Sequence, residues 1–421
     1  MIIFYRFFSI LVFPFLLIFT LIRILKKKEN SRSFQEKLLV NGSTNNDYTI
    51  WFHGASIGEV RSVFPLVRQI LKKKQNICIL ISSTTLTSAQ VVETEFKNEK
   101  RVNHVFLPYD IYFLVDIFIK KYKPKVSIFI DSEIWPNFIL SLKEKSIPIL
   151  LFNARISQRS FQRWNKINRT ANKIFSYFSL IISSNQNTLE NLNKLSIKNI
   201  EYFGNLKLLD LNSNSEFNES QKINFKNKKV WLAASTHPNE EEIIINAHHE
   251  ISKKFSNLLT IIVPRHIGRV NEITKMLKKK EIRYQIISDI ENFEINSEII
   301  LVNAVGKLNK LYNSCKTVFI GKSLEKKISA NSGQNPIEPL KFGCDIIHGP
   351  YVKNFEEVYS LLNKRNLAKK VTSIDEFVNA IILSLNKDNL NNESKLKTLK
   401  EEARNIENKV MTLFEKYLND I

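Results

Sequence analysis

From Tyr48 onward the chain alternates between two hydrophobic periods. Short runs that are apolar at nearly every position give way to longer stretches whose apolar residues recur at helical spacing. The first kind predicts strands at Tyr48–Phe52, Ile77–Ser82, Val102–Phe106, Val126–Ile130, Ile147–Phe152 and Leu180–Ser183. The second predicts helices over Arg61–Lys74, Ser88–Phe96, Ile111–Tyr122, Pro136–Lys145 and Phe161–Phe178. Strands apolar on both faces need cover on both faces, which means a parallel sheet between layers of helices. From Leu208 to Lys229 the pattern lapses into Asn, Ser, Lys and Glu, marking a domain boundary. It then restarts, with strands predicted at Val230–Ala234, Leu258–Val263, Arg283–Ile287, Ile299–Val302, Thr317–Ile320 and Asp345–His348. Helices are predicted at Glu240–Phe255, Val270–Lys280, Leu308–Tyr312 and Pro336–Phe342. The expectation is an α/β chain of two Rossmann-like, doubly wound parallel-sheet domains, 26–208 and 209–394, facing across a cleft at the carboxyl ends of their strands. A charged amphipathic stretch within 395–421, Lys395–Leu418, predicts a last helix able to pack back on the first domain.

Residues 1–25 are of another kind. Phe7–Ile22 is uncharged and apolar apart from Ser9, Pro14 and Thr20. Arg6 precedes it, and Arg23 with Lys26, Lys27 and Lys28 follows. The run falls slightly short of the roughly 20 residues of a membrane span, and Ile2–Tyr5 with snorkelling arginines would extend it. A cleaved signal peptide would end in small residues, whereas this segment ends I-R-I-L-K-K-K. We read an uncleaved membrane anchor, either spanning or embedded, with the basic flank and the body on the cytoplasmic side.

The balance of 62 basic against 41 acidic residues gives a net charge of +21, which suits an anionic membrane face, a phosphorylated substrate or nucleic acid. The lysines are dispersed and not interleaved with aromatics on one face, which argues against nucleic acid. Three distant cysteines, Cys78, Cys315 and Cys344, suggest neither a disulfide framework nor a zinc site, and fit a reducing compartment.

Chemistry should collect where the strands end. The stretch Trp51–Val60, W-F-H-G-A-S-I-G-E-V, is a strand–loop–helix corner in which Gly54 and Gly58 would let backbone approach a ligand. Glu59 sits in the first helical turn, where it serves either as a catalytic base or as an ordinary helix-entry carboxylate. A second carboxylate, Glu133, ends the Val126–Ile130 strand. Such a pair can flank a reacting sugar, one as base and one stabilising oxocarbenium-like charge. Arg265, Lys207 and a helix start at Pro336 suit a phosphate, and Glu338 suits ribose hydroxyls. Read singly, these are also ordinary surface residues; their recurrence at matching places in both halves carries the argument. No phosphate-loop or dinucleotide fingerprint occurs, and His53, His237 and His266 at strand ends show no metal-site spacing.

Taken in order, these strings resemble the 3-deoxy-D-manno-octulosonic acid (Kdo) transferases of lipid A core biosynthesis. The resemblance runs through H-x-x-S-x-G-E (His53–Glu59), L-P-Y-D (Leu107–Asp110), S-E-I-W-P-N (Ser132–Asn137) and N-A-R (Asn153–Arg155). It continues with G-N-L-K (Gly204–Lys207), S-T-H (Ser235–His237), V-P-R-H (Val263–His266) and N-P-I-E (Asn335–Glu338). It implies a GT-B fold, with 26–208 as acceptor domain and 209–394 as CMP-sugar donor domain. It implies an inverting, metal-independent transfer of Kdo from CMP-Kdo to the lipid A precursor, lipid IVA, at the inner membrane. By the same resemblance Glu59 is the general base, and Glu133 and Lys207 stabilise the transition state. CMP binding falls to Pro264 with Arg265, to Gly306, Lys307 and Leu308, and to Asn335, Pro336, Ile337 and Glu338. The partners implied are CMP-Kdo, the lipid A precursor and inner-membrane phospholipid, with no cofactor.

The chain departs from that pattern on the donor side. Gly321-Lys322-Ser323 replaces a usual G-G-S, Leu324–Ser332 is longer and more basic, Gln334 replaces a frequent histidine, and Lys307 takes an often acidic place. Two rival readings remain: another GT-B enzyme using a UDP-sugar and a lipid acceptor, and a membrane-tethered nucleic-acid-binding module.

Overall fold

The structure, a computed structural model, describes residues 2–39, 48–212, 222–290, 293–326, 332–387 and 390–418. Parts of three segments discussed above, 40–47 after the anchor, 213–221 in the boundary and 327–331 in the basic loop, lie outside the described residues. The chain forms two compact units, Met1–Asp210 with Ala403–Ile421, and Leu211–Glu402.

The first unit is built on seven parallel strands: β1 (Ile50–His53), β2 (Ile79–Ser83), β3 (Val102–Phe106), β4 (Val126–Ile130), β5 (Ile149–Ala154), β6 (Leu180–Ser183) and β7 (Ile200–Glu201). Their order across the sheet is β3-β2-β1-β4-β5-β6-β7. The chain therefore winds outward from β1 in one direction, then restarts at β4 and winds in the other. Between β1 and β4 the helices leave on opposite faces and open a crevice at the strand ends, where such folds hold ligands. β1, β2 and β4 are buried along their whole length, which is why they read as unbroken apolar runs.

The second unit repeats the plan with β8 (Lys229–Thr236), β9 (Leu258–Pro264), β10 (Tyr284–Ile287), β11 (Ile299–Val302), β12 (Thr317–Ile320), β13 (Asp345–His348) and β14 (Ala368–Lys370). All neighbours pair in parallel in the order β10-β11-β9-β8-β12-β13-β14, so its switch point lies between β8 and β12. Together the two units form the expected GT-B pair of Rossmann-like sheets. The sequence reading missed β7 and β14, each too short to show a period, and the helices Gln186–Lys194, Glu356–Lys364 and Ile374–Leu385.

Two boundaries moved for physical reasons. The helix expected over Phe161–Phe178 is two, Gln158–Lys166 and Asn168–Phe175, broken where Ile167 leaves helical geometry at φ −121°, ψ 41°. The helix expected from Arg61 begins at Ile57, because Ser56 and Glu59 form a reciprocal capping box.

The last helix, Leu390–Leu418, starts in the second unit and ends in the first. Its final turns bury Val410, Met411 and Phe414. Phe414 meets Phe152 edge-on at 6.0 Å, Lys73 pairs with Glu415 at 2.6 Å, and the Tyr417 hydroxyl donates to the Ser179 carbonyl at 3.3 Å. A Phe414→Ala substitution should cost about 3–5 kcal/mol. Hydrogen-exchange mass spectrometry should then show lost protection in β5 and β6 while β8 to β13 keep theirs.

Candidate active site

At the switch point of the first unit, the ends of β1 and β4 bring acidic groups together. Glu59 follows β1 in the capping box: its Oε2 accepts from the Ala55 amide at 2.6 Å, and its Oε1 from the Ser56 hydroxyl at 2.7 Å. The helix-entry role foreseen as the ordinary alternative is thus realised, and it fixes the carboxyl at the strand end. A Cβ at Gly54 would lie 3.0 Å from the Glu59 Cβ, so the missing side chain lets the strand end and the helix start come close. Gly58 is different: a Cβ there would meet nothing within 4 Å.

Burial pushes the Glu59 carboxyl up to about 7, with help from the negative charges of Glu133 and Asp131 and against the hydrogen bonds from Ser56 and Ala55. Glu133 goes the other way. Burial would raise it, but hydrogen bonds from His53 and from the Trp135 indole hold its carboxyl below the ordinary value. The bonds are 3.2 Å from His53 Nε2 and 2.8 Å from Trp135 Nε1, both to Oε2.

His53 is fully buried and belongs to a chain of donors. The Trp51 indole donates to the Ser82 hydroxyl at 2.8 Å, and Ser82 Oγ lies 2.9 Å from His53 Nδ1. In the tautomer whose Nδ1 accepts from the Ser82 hydroxyl, Nε2 carries the hydrogen that reaches Glu133. The sequence placed His53 at a strand end without this role; the tryptophan two residues earlier on the same strand was the available signal.

Asp131, also passed over, ends β4 in the left-handed region at φ 64°. Its carboxylate faces the Lys207 ammonium at 3.7 Å. Lys207 is placed by a turn of 3-10 helix, Leu206–Asn212, whose first amide donates to the Asn153 side chain at 3.0 Å. Glu59 and Glu133, foreseen as a pair, and Lys207, foreseen beside a phosphate, are therefore one cluster in the first unit, joined through Asp131.

The second unit gathers cations at its own switch point. The Arg265 amide donates to the Thr236 carbonyl at 3.0 Å as β9 ends in Pro264. The His237 and His266 rings stand 6.1 Å apart, edge to face. Burial pushes His237 down to about 4, and the charges of Lys322, His266 and Arg265 add to this. Lys322 is itself lowered, by burial and by Arg265. It sits at φ 61°, a conformation that favours glycine, so the chain accepts strain there to carry an ammonium. Glu240 holds the loop, accepting from the Lys322 and His237 amides at 2.8 and 2.9 Å and from the Ser323 and Leu324 amides at 2.8 and 3.0 Å.

The remaining predicted donor residues lie elsewhere in this unit. Gly306, at φ 77°, and Lys307 precede the helix Leu308–Ser314. Asn335 and Pro336 lead into the short helix Ile337–Lys341, where the Asn335 side chain accepts from the Ile337 amide at 3.0 Å. The charge of Glu338 reaches buried Tyr312 in the former helix, which brings these two segments side by side.

Two parallel-sheet units of this kind define a GT-B protein, and the comparisons with known proteins give the family. A family model described as "3-Deoxy-D-manno-octulosonic-acid transferase (kdotransferase)" matches residues 29–209. The 3-deoxy-D-manno-octulosonic acid transferase of Haemophilus influenzae is 34% identical over 328 residues, 76% of this chain and 75% of that one. That of Rickettsia bellii is 29% identical over 422 residues, 99% of this chain and 98% of its own. A glycosyltransferase from Rickettsia africae superposes with a TM-score of 0.56 at 13% identity, covering 89% of this chain and all of the other, a likeness of fold alone. The chain belongs to the 3-deoxy-D-manno-octulosonic acid transferase family and is a glycosyltransferase.

The raised Glu59 fixes the sign of a pH effect. Its neutral form is favoured in the folded state, so this contribution to stability is complete below about 4.5 and is lost as pH rises through about 7. Glutamine keeps the capping box but cannot ionise. Glu59→Gln should match the parent in thermal unfolding near pH 4 and unfold at higher temperature than the parent at pH 8. In Glu133→Gln the Glu59 midpoint, followed by carboxyl 13C NMR, should fall from about 7 towards the ordinary carboxylate range.

Proposed function

We propose that this enzyme transfers Kdo from CMP-Kdo to the lipid A precursor, lipid IVA, with inversion at the anomeric carbon and without a metal. The observation that carries the reading is the pair of carboxylates at the β1 and β4 ends, one held high and the other low. Neighbouring acids with opposite shifts are how a site separates a proton acceptor from a permanent anion. An acceptor hydroxyl is a poor nucleophile until a base takes its proton during attack. Glu59, near neutrality at about 7, is matched to that task. As the oxygen–carbon bond forms, the bond from the anomeric carbon to the phosphate of CMP breaks, and CMP departs with the electron pair. Positive charge at that carbon faces Glu133, which His53 and Trp135 keep ionised. The departing phosphate needs charge neutralisation more than a proton, and Arg265, Lys207 and Lys322 are the cations assigned to it. Pro264, Gly306–Leu308 and Asn335–Glu338 hold the rest of the nucleotide. The N-terminal segment and its basic flank support a location on the cytoplasmic face of the inner membrane, where a lipid acceptor would reside.

The test is an assay with CMP-Kdo and bisphosphorylated lipid A precursor, read by mass spectrometry. Glu59→Gln should lower turnover roughly a hundred- to ten-thousand-fold while CMP binding holds. Turnover near the parental rate would remove Glu59 as the base, and product from UDP-sugars but not from CMP-Kdo would remove the donor. Below about pH 7 the parental kcat/KM should decline as Glu59 takes up a proton. Glu133→Gln should move that decline to lower pH while also slowing the reaction. Lys322→Gly should raise the KM for CMP-Kdo, reduce its salt dependence and lower kcat, since a cation facing the departing phosphate is lost.

A further inference from the structure

The N-terminal helix, Ile2–Leu25, is long and apolar enough to cross a bilayer. Its contacts describe a different placement. Every polar or charged side chain between Tyr5 and Arg23 faces the first unit. The Tyr5 hydroxyl donates to Asp110 at 2.9 Å, and the Asn137 amide donates to Ser9 at 3.2 Å. Arg6 pairs with Glu144 at 2.8 Å and lies 4.4 Å from the centre of the Tyr112 ring. Thr20 shares a hydrogen bond with Tyr109. Arg23 pairs with buried Glu29 at 3.1 Å, and Glu29 holds Lys37 at 2.7 Å.

The opposite face is wholly apolar. Phe4, Phe8, Leu11, Phe15, Ile18 and Ile22 follow helical spacing and are all exposed. The surface continues onto the neighbouring helix Tyr112–Tyr122, where Phe13 meets Phe113 at 5.4 Å and Phe113 and Ile117 stay exposed. Exposed Lys26, Lys27 and Lys28 close one end of it.

We propose that this helix lies in the plane of one leaflet, its apolar face sunk to the boundary of headgroups and acyl chains, and does not cross the membrane. The proposal rests on the reading of the chain as a membrane-bound enzyme and is independent of which sugar it moves. Tyr5 and Thr20 are 15 positions apart, about 22 Å along a helix, yet they bond to adjacent residues of one loop, Asp110 and Tyr109. A crossing helix would carry that loop, and Glu144 with it, into hydrocarbon, where irregular backbone and charge are not tolerated in contact with lipid. A helix with one apolar face and its polar groups on the other is instead the form that rests at an interface. The occupant of the face is an anionic leaflet. The lysines at its edge and the net charge of +21 complement such headgroups, whereas a second copy of this chain would set like charges against each other.

Depth decides the matter. In the full-length Cys78→Ser chain, whose other two cysteines are buried, Phe4→Cys, Phe8→Cys, Phe15→Cys and Ile22→Cys are each spin-labelled. The proteins are then reconstituted in vesicles of phosphatidylethanolamine and phosphatidylglycerol. Collision with oxygen against a water-soluble nickel complex should give four depths agreeing within about 5 Å, the radius of a helix with its side chains. A crossing helix would set Phe4 and Ile22 at opposite surfaces, about 27 Å apart along the normal, and that profile overturns the proposal. Labels shielded from oxygen at all four positions, with spin–spin broadening, would overturn it in favour of a second copy. A second measurement leaves the helix unaltered. A cysteine tag ahead of Met1 should resist a membrane-impermeant maleimide in sealed right-side-out vesicles and react after lysis; reaction in the sealed vesicles overturns the in-plane placement. Neither readout involves sugar transfer, so failure here and failure of the transfer assay are separable.

Discussion

Three carboxyl groups crowded at the ends of two adjacent strands are the constraint around which the first unit is arranged. The negative charges of Glu133 and Asp131 oppose ionisation of Glu59 in a partly buried crevice, because like charges at low dielectric repel. The fold resolves the conflict unequally. Asp131 has Lys207, Glu133 has two hydrogen-bond donors, and Glu59 keeps only the capping bonds of its own helix start. The group left with least compensation is the one whose carboxyl is pushed up to about 7 and so keeps its proton closest to neutrality.

The second unit meets the mirror-image problem. Arg265, Lys322 and two histidines converge at the ends of β8, β9 and β12, and the cost shows in the lowered His237 and Lys322. A single buried glutamate, Glu240, binds four amides of the surrounding loops and so holds the cations in place without neutralising them at the surface. Such a cluster is unfavourable alone and favourable beside an anion. The lysine of the G-K-S departure fits this pattern, since it adds charge where backbone amides already gather.

The alternation of two periods was enough to read nearly every long strand and the two-sheet plan, because strands buried on both faces leave no polar interruption to misread. What failed was short or local. β7 and β14 are too brief to carry a period, and the break at Ile167 follows no proline or glycine. Glu59 and Glu133 were legible as a strand-end pair, but the link of both to Lys207 through Asp131 was not, since it depends on how the turn Leu206–Asn212 meets the end of β4. Nor does sequence spacing show that Trp51, Ser82 and His53 form one line of hydrogen bonds across two strands.

The same dependence on topology joins the N-terminal helix to the carboxylate cluster. Asp110 accepts from the amides of Asn137 and Phe138 at 3.1 and 3.0 Å, capping the helix Pro136–Glu144, which has no side-chain cap of its own. It also accepts the Tyr5 hydroxyl of the N-terminal helix. Glu133 and Trp135 lie on the short link between β4 and that capped helix. The strings L-P-Y-D and S-E-I-W-P-N are therefore one hydrogen-bonded unit: its first part clasps the N-terminal helix, its last part starts the capped helix, and between them lies Glu133. A displacement of the N-terminal helix would be felt at Asp110, hence at the start of the Pro136–Glu144 helix, and hence by Glu133. The N-terminal helix is thus tied by three hydrogen-bonded residues, Tyr5, Asp110 and Asn137, to the segment that carries Glu133.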